Sequence, residues 1–230
     1  MSTNGLVRLG ILALPVSGVL GLVALIGRYG TPNASVDPRA AARAASSLGY
    51  FVTQFVGNVL GLTLLMFGIL ALTVYLSNTR ARRFAVAAMI FSILGVAPVL
   101  SALGVTTYAL PVLGEAYLSG QQDVLPIIDG IFDNPLRIIF VFVFVFYAAG
   151  FILFGVAIWR SGVLRKGAAL SLGLHAPLVS SFIRPEPSIG VIVGAVLFVV
   201  GGTLISLDVF RGTAAGRQRS EQARGEAAAD

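Results

Sequence analysis

The sequence predicts an all-α polytopic membrane protein, a bundle of six transmembrane helices with both termini cytoplasmic. Three observations predict it. The first is a set of six apolar stretches: Leu6–Gly27, Phe51–Leu76, Phe84–Val105, Ile138–Trp159, Gly167–Ile183 and Ser188–Val209. A helix rises about 1.5 Å per residue and the hydrocarbon core is about 30 Å thick, so about 20 residues suffice to cross it. The second is composition. Only 11% of the 230 residues are charged and mean hydropathy is +0.91, whereas a soluble domain carries about 25% charged residues. The third is an uneven distribution of Lys and Arg between the two sets of loops.

That distribution decides the orientation. Arg8, Arg80, Arg82, Arg83, Arg160, Arg165, Lys166, Arg211, Arg217, Arg219 and Arg224 all fall on one side of a six-span topology. The other side holds Arg28, Arg39, Arg43, Arg137 and Arg184, with Asp37, Glu115, Asp123, Asp129, Asp133 and Glu186. Cytoplasmic loops carry the basic excess, which places both termini inside. The net charge of +6 follows from this bias. It does not point to nucleic acid, because the basic residues are scattered over separate loops. All basic residues but Lys166 are arginine, and Ala, Gly and Val abound, a usage that suggests a GC-rich bacterial genome.

The elements follow in order. The apolar run from Leu9 to Ile26 exceeds the h-region of a signal peptide, about 7–15 residues, and no A-x-A site follows it. It is therefore expected to be a retained first helix, kinked at Pro15. Asp37 and Pro38 form a helix start. One helix of nearly 40 residues is expected to run from there to Leu76. Asn33-Ala34-Ser35 matches a glycosylation sequon, without meaning in a bacterial chain. Span 3 holds Gly95 and Pro98, and Pro111 is expected to end its helix. A short surface helix is expected around Asp123–Phe132, then a turn at Asn134-Pro135. Phe140 to Phe146 alternates like a strand, but an open strand cannot satisfy its backbone in lipid, so span 4 is read as a helix. Its Tyr147 should prefer the bundle interior. Trp159 and Tyr75 fit an aromatic belt at the cytoplasmic interface. The hairpins at 67–83 and 154–166 echo each other faintly, as a parallel repeat would. One membrane domain covers 1–211. The segment 212–230, rich in Ala, Gly, Arg, Gln and Glu, is expected to be a disordered cytoplasmic tail.

Motifs that carry chemistry were sought, and few emerge. The chain has no cysteine and one histidine, so it offers no disulfide, thiolate site or bis-histidine haem. It has no Walker A lysine and no Gly-x-Ser-x-Gly elbow. No catalytic residue, cofactor or metal is assigned. His175 is the deep titratable group, either a ligand-contacting group or one end of an interhelical hydrogen bond. Gln54 and Asn58, four apart, are candidate cavity-lining residues with His175, and Thr53 and Thr63 could join them. Gly57, Gly61, Gly190 and Gly194 are candidate helix-packing positions, because small residues four apart let backbones approach. Their partner could lie in the same chain or in a second copy. Asp208 is expected to pair with Arg211, three residues on.

Asp37-Pro38 with its Ala-rich run, and the segment Ile158-Trp159-Arg160-Ser161-Gly162-Val163-Leu164-Arg165, resemble those of small six-span bacterial membrane proteins of unknown function. The resemblance spans about residues 30–180, with Arg165 standing where proline would be expected. It implies a cell-membrane location and a topology, and no reaction. Two functions are consistent with the sequence. One is a non-enzymatic membrane component, a scaffold or accessory subunit. The other is a facilitator or transporter subunit for a small neutral or apolar solute. The expected partners are the lipid bilayer and a second copy or another membrane protein.

Overall fold

The computed structural model describes residues 3–29, 36–132, 138–180 and 189–227. Those residues are helix and turn throughout, with no strand among them. The elements are α1 (Thr3–Tyr29), α2 (Pro38–Ala45), α3 (Leu48–Val52), a π-helical stretch (Thr53–Leu60), α4 (Gly61–Ser77), α5 (Arg82–Leu118), α6 (Val124–Phe132), α7 (Ile138–Ser161), α8 (Lys166–Ser180) and α9 (Ile189–Ala227). Five helical segments are long and apolar enough to cross a membrane: Gly5–Arg28, Leu48–Ser77, Arg82–Leu118, Val141–Ser161 and Ile189–Gly212. The expected fifth span, Gly167–Ile183, is described as far as Ser180. The sequon and the Asn134-Pro135 turn lie outside the described residues.

The helices form a closed ring in chain order. α1 packs on α4, α4 on α5, α5 on α7, α7 on α8, α8 on α9, and α9 returns to α1. Five of these six seams carry glycine at a close approach. A Cβ on Gly68 would meet Leu14, and one on Gly202 would lie 2.9 Å from the Pro15 nitrogen. Gly95 faces the Tyr147 backbone at 2.6 Å, Gly155 faces the Ala169 carbonyl, and Gly194 faces the His175 carbonyl at 3.0 Å. Lipid is as apolar as leucine, so helices in a bilayer associate by close packing and small residues permit it.

Pro15 contributes to closing the ring. Proline has no N–H to offer the carbonyl four residues back, that of Ile11. The Ser206 hydroxyl of α9 donates to that carbonyl, 3.4 Å away. A neighbouring helix thus re-satisfies a group the proline left open.

Three expectations are corrected. The helix beginning at Pro38 does not run unbroken to Leu76. Asp37 does cap it, accepting from the Ala40 amide at 2.9 Å, but the chain turns at Ser46 and Ser47. Ser47 is extended (φ −78°, ψ 144°) and accepts from the Tyr50 amide, starting α3 afresh. Serine hydroxyls compete with the helix for backbone partners, and the Ser46 hydroxyl reaches both the Ala42 and Pro111 carbonyls. Second, Pro111 does not end α5, which continues to Leu118. α2 lies against this extension, its Ala42 carbonyl 2.9 Å from where a Gly114 Cβ would sit. The chain turns instead at Gly120, whose φ of +99° suits glycine. Third, Asp208 pairs with Arg165 and not with Arg211. Its carboxylate holds the Arg165 guanidinium at 2.7 Å and accepts from the Arg165 amide at 2.9 Å. One side chain of α9 therefore caps the start of α8. Helix α9 extends to Ala227. Ala, Arg, Gln and Glu are good helix formers.

Asp208→Ala should cost more stability than Arg165→Ala. Arg165 is 46% exposed, so the ion pair alone is worth under about 1 kcal/mol. Loss of the carboxylate also removes a helix cap worth about 1 kcal/mol. Thermal melts of the two variants in the same detergent check the order.

Candidate functional site

The ring's core is filled over the half nearest the Arg80 and Arg160 turns. Ile11 and Leu14 of α1, Ile69 and Leu72 of α4, Phe151 and Phe154 of α7, Leu172 of α8 and Ile205 of α9 are all buried in one cluster. His175 closes this cluster toward the α2 end. It is 1% exposed and ringed by aromatics. Phe151 and Phe198 lie 4.6 and 4.8 Å away between ring centroids. Tyr147 is edge-on to it at 5.8 Å.

The hydrogen bonds set the tautomer of His175. Nδ1 faces the Leu172 carbonyl, which can only accept, so Nδ1 carries the proton. Nε2 then presents its lone pair and accepts from the Tyr147 hydroxyl at 3.1 Å. Both ring nitrogens are satisfied, and α7 is tied to α8 in the apolar interior. The Tyr147 preference for the interior follows from the same bond: a phenol in lipid needs an acceptor, and His175 is within reach. Tyr147→Phe should cost about 0.5–1.5 kcal/mol, because interhelical hydrogen bonds within a folded membrane protein fall in that range. A melt of that variant beside Phe146→Leu, a change with no hydrogen bond to lose, checks it.

Gln54 and Asn58 lie elsewhere, on the π-helical stretch. The wider turn of a π-helix is rare and recurs at functional sites. The Asn58 amide donates to the Gln54 carbonyl oxygen. The Gln54 side chain shares a hydrogen bond with Tyr50, and Arg28 of α1 lies close enough to Tyr50 to interact with it. Tyr50, Gln54 and Asn58 thus form a polar ladder, one step per turn. Gln54 and Asn58 are joined by their own hydrogen bond. His175 is partnered by α7 and α9 side chains. Thr53 packs its methyl toward Gly27, and the Thr63 hydroxyl returns to the Val59 carbonyl.

The glycines sort cleanly. Gly57 packs on Ala24 and Leu20 of α1, Gly61 on Leu20, and Gly194 on Leu178 and Val179 of α8. These three serve contacts within the chain. Gly190 lies in the first turn of α9 and is partly exposed.

Sequence reasoning missed several participants. Tyr50 continues the i, i+4 spacing of Gln54 and Asn58, and that spacing was visible. Phe151 and Phe198 carried no signal that set them apart from the other phenylalanines. At the arginine end, Arg80 donates to the Arg160 carbonyl at 2.7 Å, Arg160 stacks over Phe84 and Lys166 over Trp159. The two contacts of Arg160 tie turns about 80 residues apart.

No group of three or more His, Cys, Asp or Glu side chains suited to a metal ion occurs among the described residues. Compared with protein families, curated proteins and solved structures, the chain matches none.

Proposed function

We propose that this chain is a non-enzymatic structural or accessory component of a bacterial cell membrane. It crosses six times, with α8 as the fifth span and both termini in the cytoplasm. The observation that carries this reading is the filled ring. Phe151, Phe154, Leu72 and Ile11 lie in one buried cluster with almost no exposed surface, which supports a packed bundle over an open pore. The orientation rests on the arginine turns at one end, against Asp37 and the α2–α6 elements at the other. Packing of α8 against both α7 and α9 supports reading it as a span. The dense apolar core suits a scaffold that holds other membrane components.

The test is solute flux. Purified protein in liposomes is exposed to osmotic gradients of glycerol, urea and sorbitol, and swelling is followed by light scattering. Rates equal to those of protein-free liposomes are expected. Faster swelling with any of the three overturns this reading in favour of a facilitator of neutral solutes.

A further inference from the structure

We propose that the α2 end of the ring contains a blind, water-filled vestibule lined by Tyr50, Gln54 and Asn58. Its ligand class is a small uncharged molecule that both donates and accepts hydrogen bonds, an amide or a polyol. The inference goes beyond the scaffold reading, since a blind vestibule binds without conducting.

The argument starts from which way the ladder points. Val52, Val56 and Leu60 are exposed along one side of the π-helical stretch. Gln54 and Asn58 are each two residues from members of that stripe. Two residues is about half a turn, so the amides face away from lipid and into the ring. Yet all three polar side chains keep partial exposure. A group that faces inward and still meets solvent borders a space.

α1 shows the same space from its other side. Val19 and Val23 are exposed, so Gly21 between them faces inward. A Cβ on Gly21 would meet none of the described residues within 4 Å. One turn deeper, a Cβ on Gly18 would collide with Phe198 at 2.8 Å. The space therefore ends between Gly21 and Gly18. Its floor is Phe198, which packs on Phe151 and His175. Gly21 also lies beside Gly61, 3.8 Å from its Cβ position, one turn past Asn58. The vestibule thus runs from Tyr50 through Gln54 and Asn58 to Gly21 and stops on the aromatic layer. From Tyr50 to Gly61 is about 16 Å at 1.5 Å per residue.

The lining sets the ligand. Carboxamides donate and accept, and a phenol does both. Arg28 interacts with Tyr50 at the outer end of the ladder, and the deeper Gln54 and Asn58 carry no charge that would select a charged solute.

The cysteine-free chain allows a direct test. Single cysteines are placed at Asn58, Gln54, Val56, His175 and, as an exposed control, Ser119, in the full-length protein. Right-side-out and inverted vesicles are labelled with a charged, membrane-impermeant thiol reagent. Asn58→Cys and Gln54→Cys should label from outside at least about tenfold faster than Val56→Cys and His175→Cys, because apolar burial raises a thiol's pKa and one unit is tenfold in thiolate. Acetamide or glycerol should slow labelling at Asn58→Cys and leave Ser119→Cys unchanged. Adding Gly21→Leu should slow labelling at Asn58→Cys by filling the space. Silence at Asn58→Cys and Gln54→Cys from both sides overturns the vestibule, and rapid labelling of His175→Cys overturns its blind end. Labelling unaffected by both acetamide and glycerol overturns the ligand class. Access to Asn58→Cys solely in inverted vesicles supports the vestibule and overturns the orientation proposed above, so the two proposals fail separately.

Discussion

Gly95→Ala should destabilise the protein while Gly104→Ala, nine residues on in the same helix, should not. At Gly95 the added methyl would lie 2.6 Å from both the Tyr147 nitrogen and its Cα, and 2.8 Å from its Cβ. Backbone cannot rotate away as a flexible side chain can, so α5 and α7 must separate. Overpacking of a close-packed interior costs about 1–3 kcal/mol. The separation also moves Tyr147, whose hydroxyl holds His175, so the loss should sit at the upper end of that range. At Gly104 the same methyl meets none of the described residues within 4 Å. Alanine in a helix interior is then favoured over glycine by about 0.5–1 kcal/mol. The two substitutions are chemically identical and should shift the melting temperature in opposite directions. Thermal unfolding of both variants in one detergent decides it. Equal shifts would mean that the α5–α7 seam is looser than the ring requires.

Phe151→Ala should be the most damaging single truncation in the ring. Phe151 is 1% exposed and touches Tyr147, Phe154, His175 and Phe198 through its ring. In soluble cores Phe→Ala costs about 3–5 kcal/mol, part of it transfer from water and part of it the cavity. In a bilayer the transfer part shrinks, because the unfolded helices are already in hydrocarbon. The cavity part remains, since the lining atoms lose their dispersion partners. About 2–3 kcal/mol is therefore expected, or roughly 5–10 °C for a chain of this size. An apolar cavity of this kind stays dry and takes up benzene or xenon, so benzene should restore part of the lost melting temperature. Phe67→Ala gives the contrast. Phe67 is 58% exposed on the outer face of α4, and its truncation should change stability little.

The helical fold and its membrane-length apolar segments were legible because they are written in composition and length. Every described apolar stretch long enough to cross a bilayer is a helix, and the Phe-Val alternation at the start of α7 did not become a strand. The solvent explains both: lipid offers backbone groups no partner, so the chain must supply its own within each span. The Asp37 cap and the inward Tyr147 were legible for similarly local reasons. Asp208 was read locally too, and there locality misled. The i+3 arginine was nearest in sequence, but the α7–α8 turn brings an arginine and a free backbone amide together, and a carboxylate can serve both at once.

The candidate site divides along the same line. The sequence by itself determined a helical chain with segments long and apolar enough to cross a membrane, the clustering of basic residues in particular turns, and the four-residue spacing of Gln54 and Asn58. Hydropathy and helical period are properties of single segments, and nothing beyond the segment is needed to read them. Tertiary structure alone decided the ring order, the aromatic layer around His175 and the seams that the glycines serve. Those depend on which side chains meet across helices far apart in the chain. Apolar residues facing lipid and apolar residues facing the ring interior are chemically alike, so no pattern along the sequence separates them.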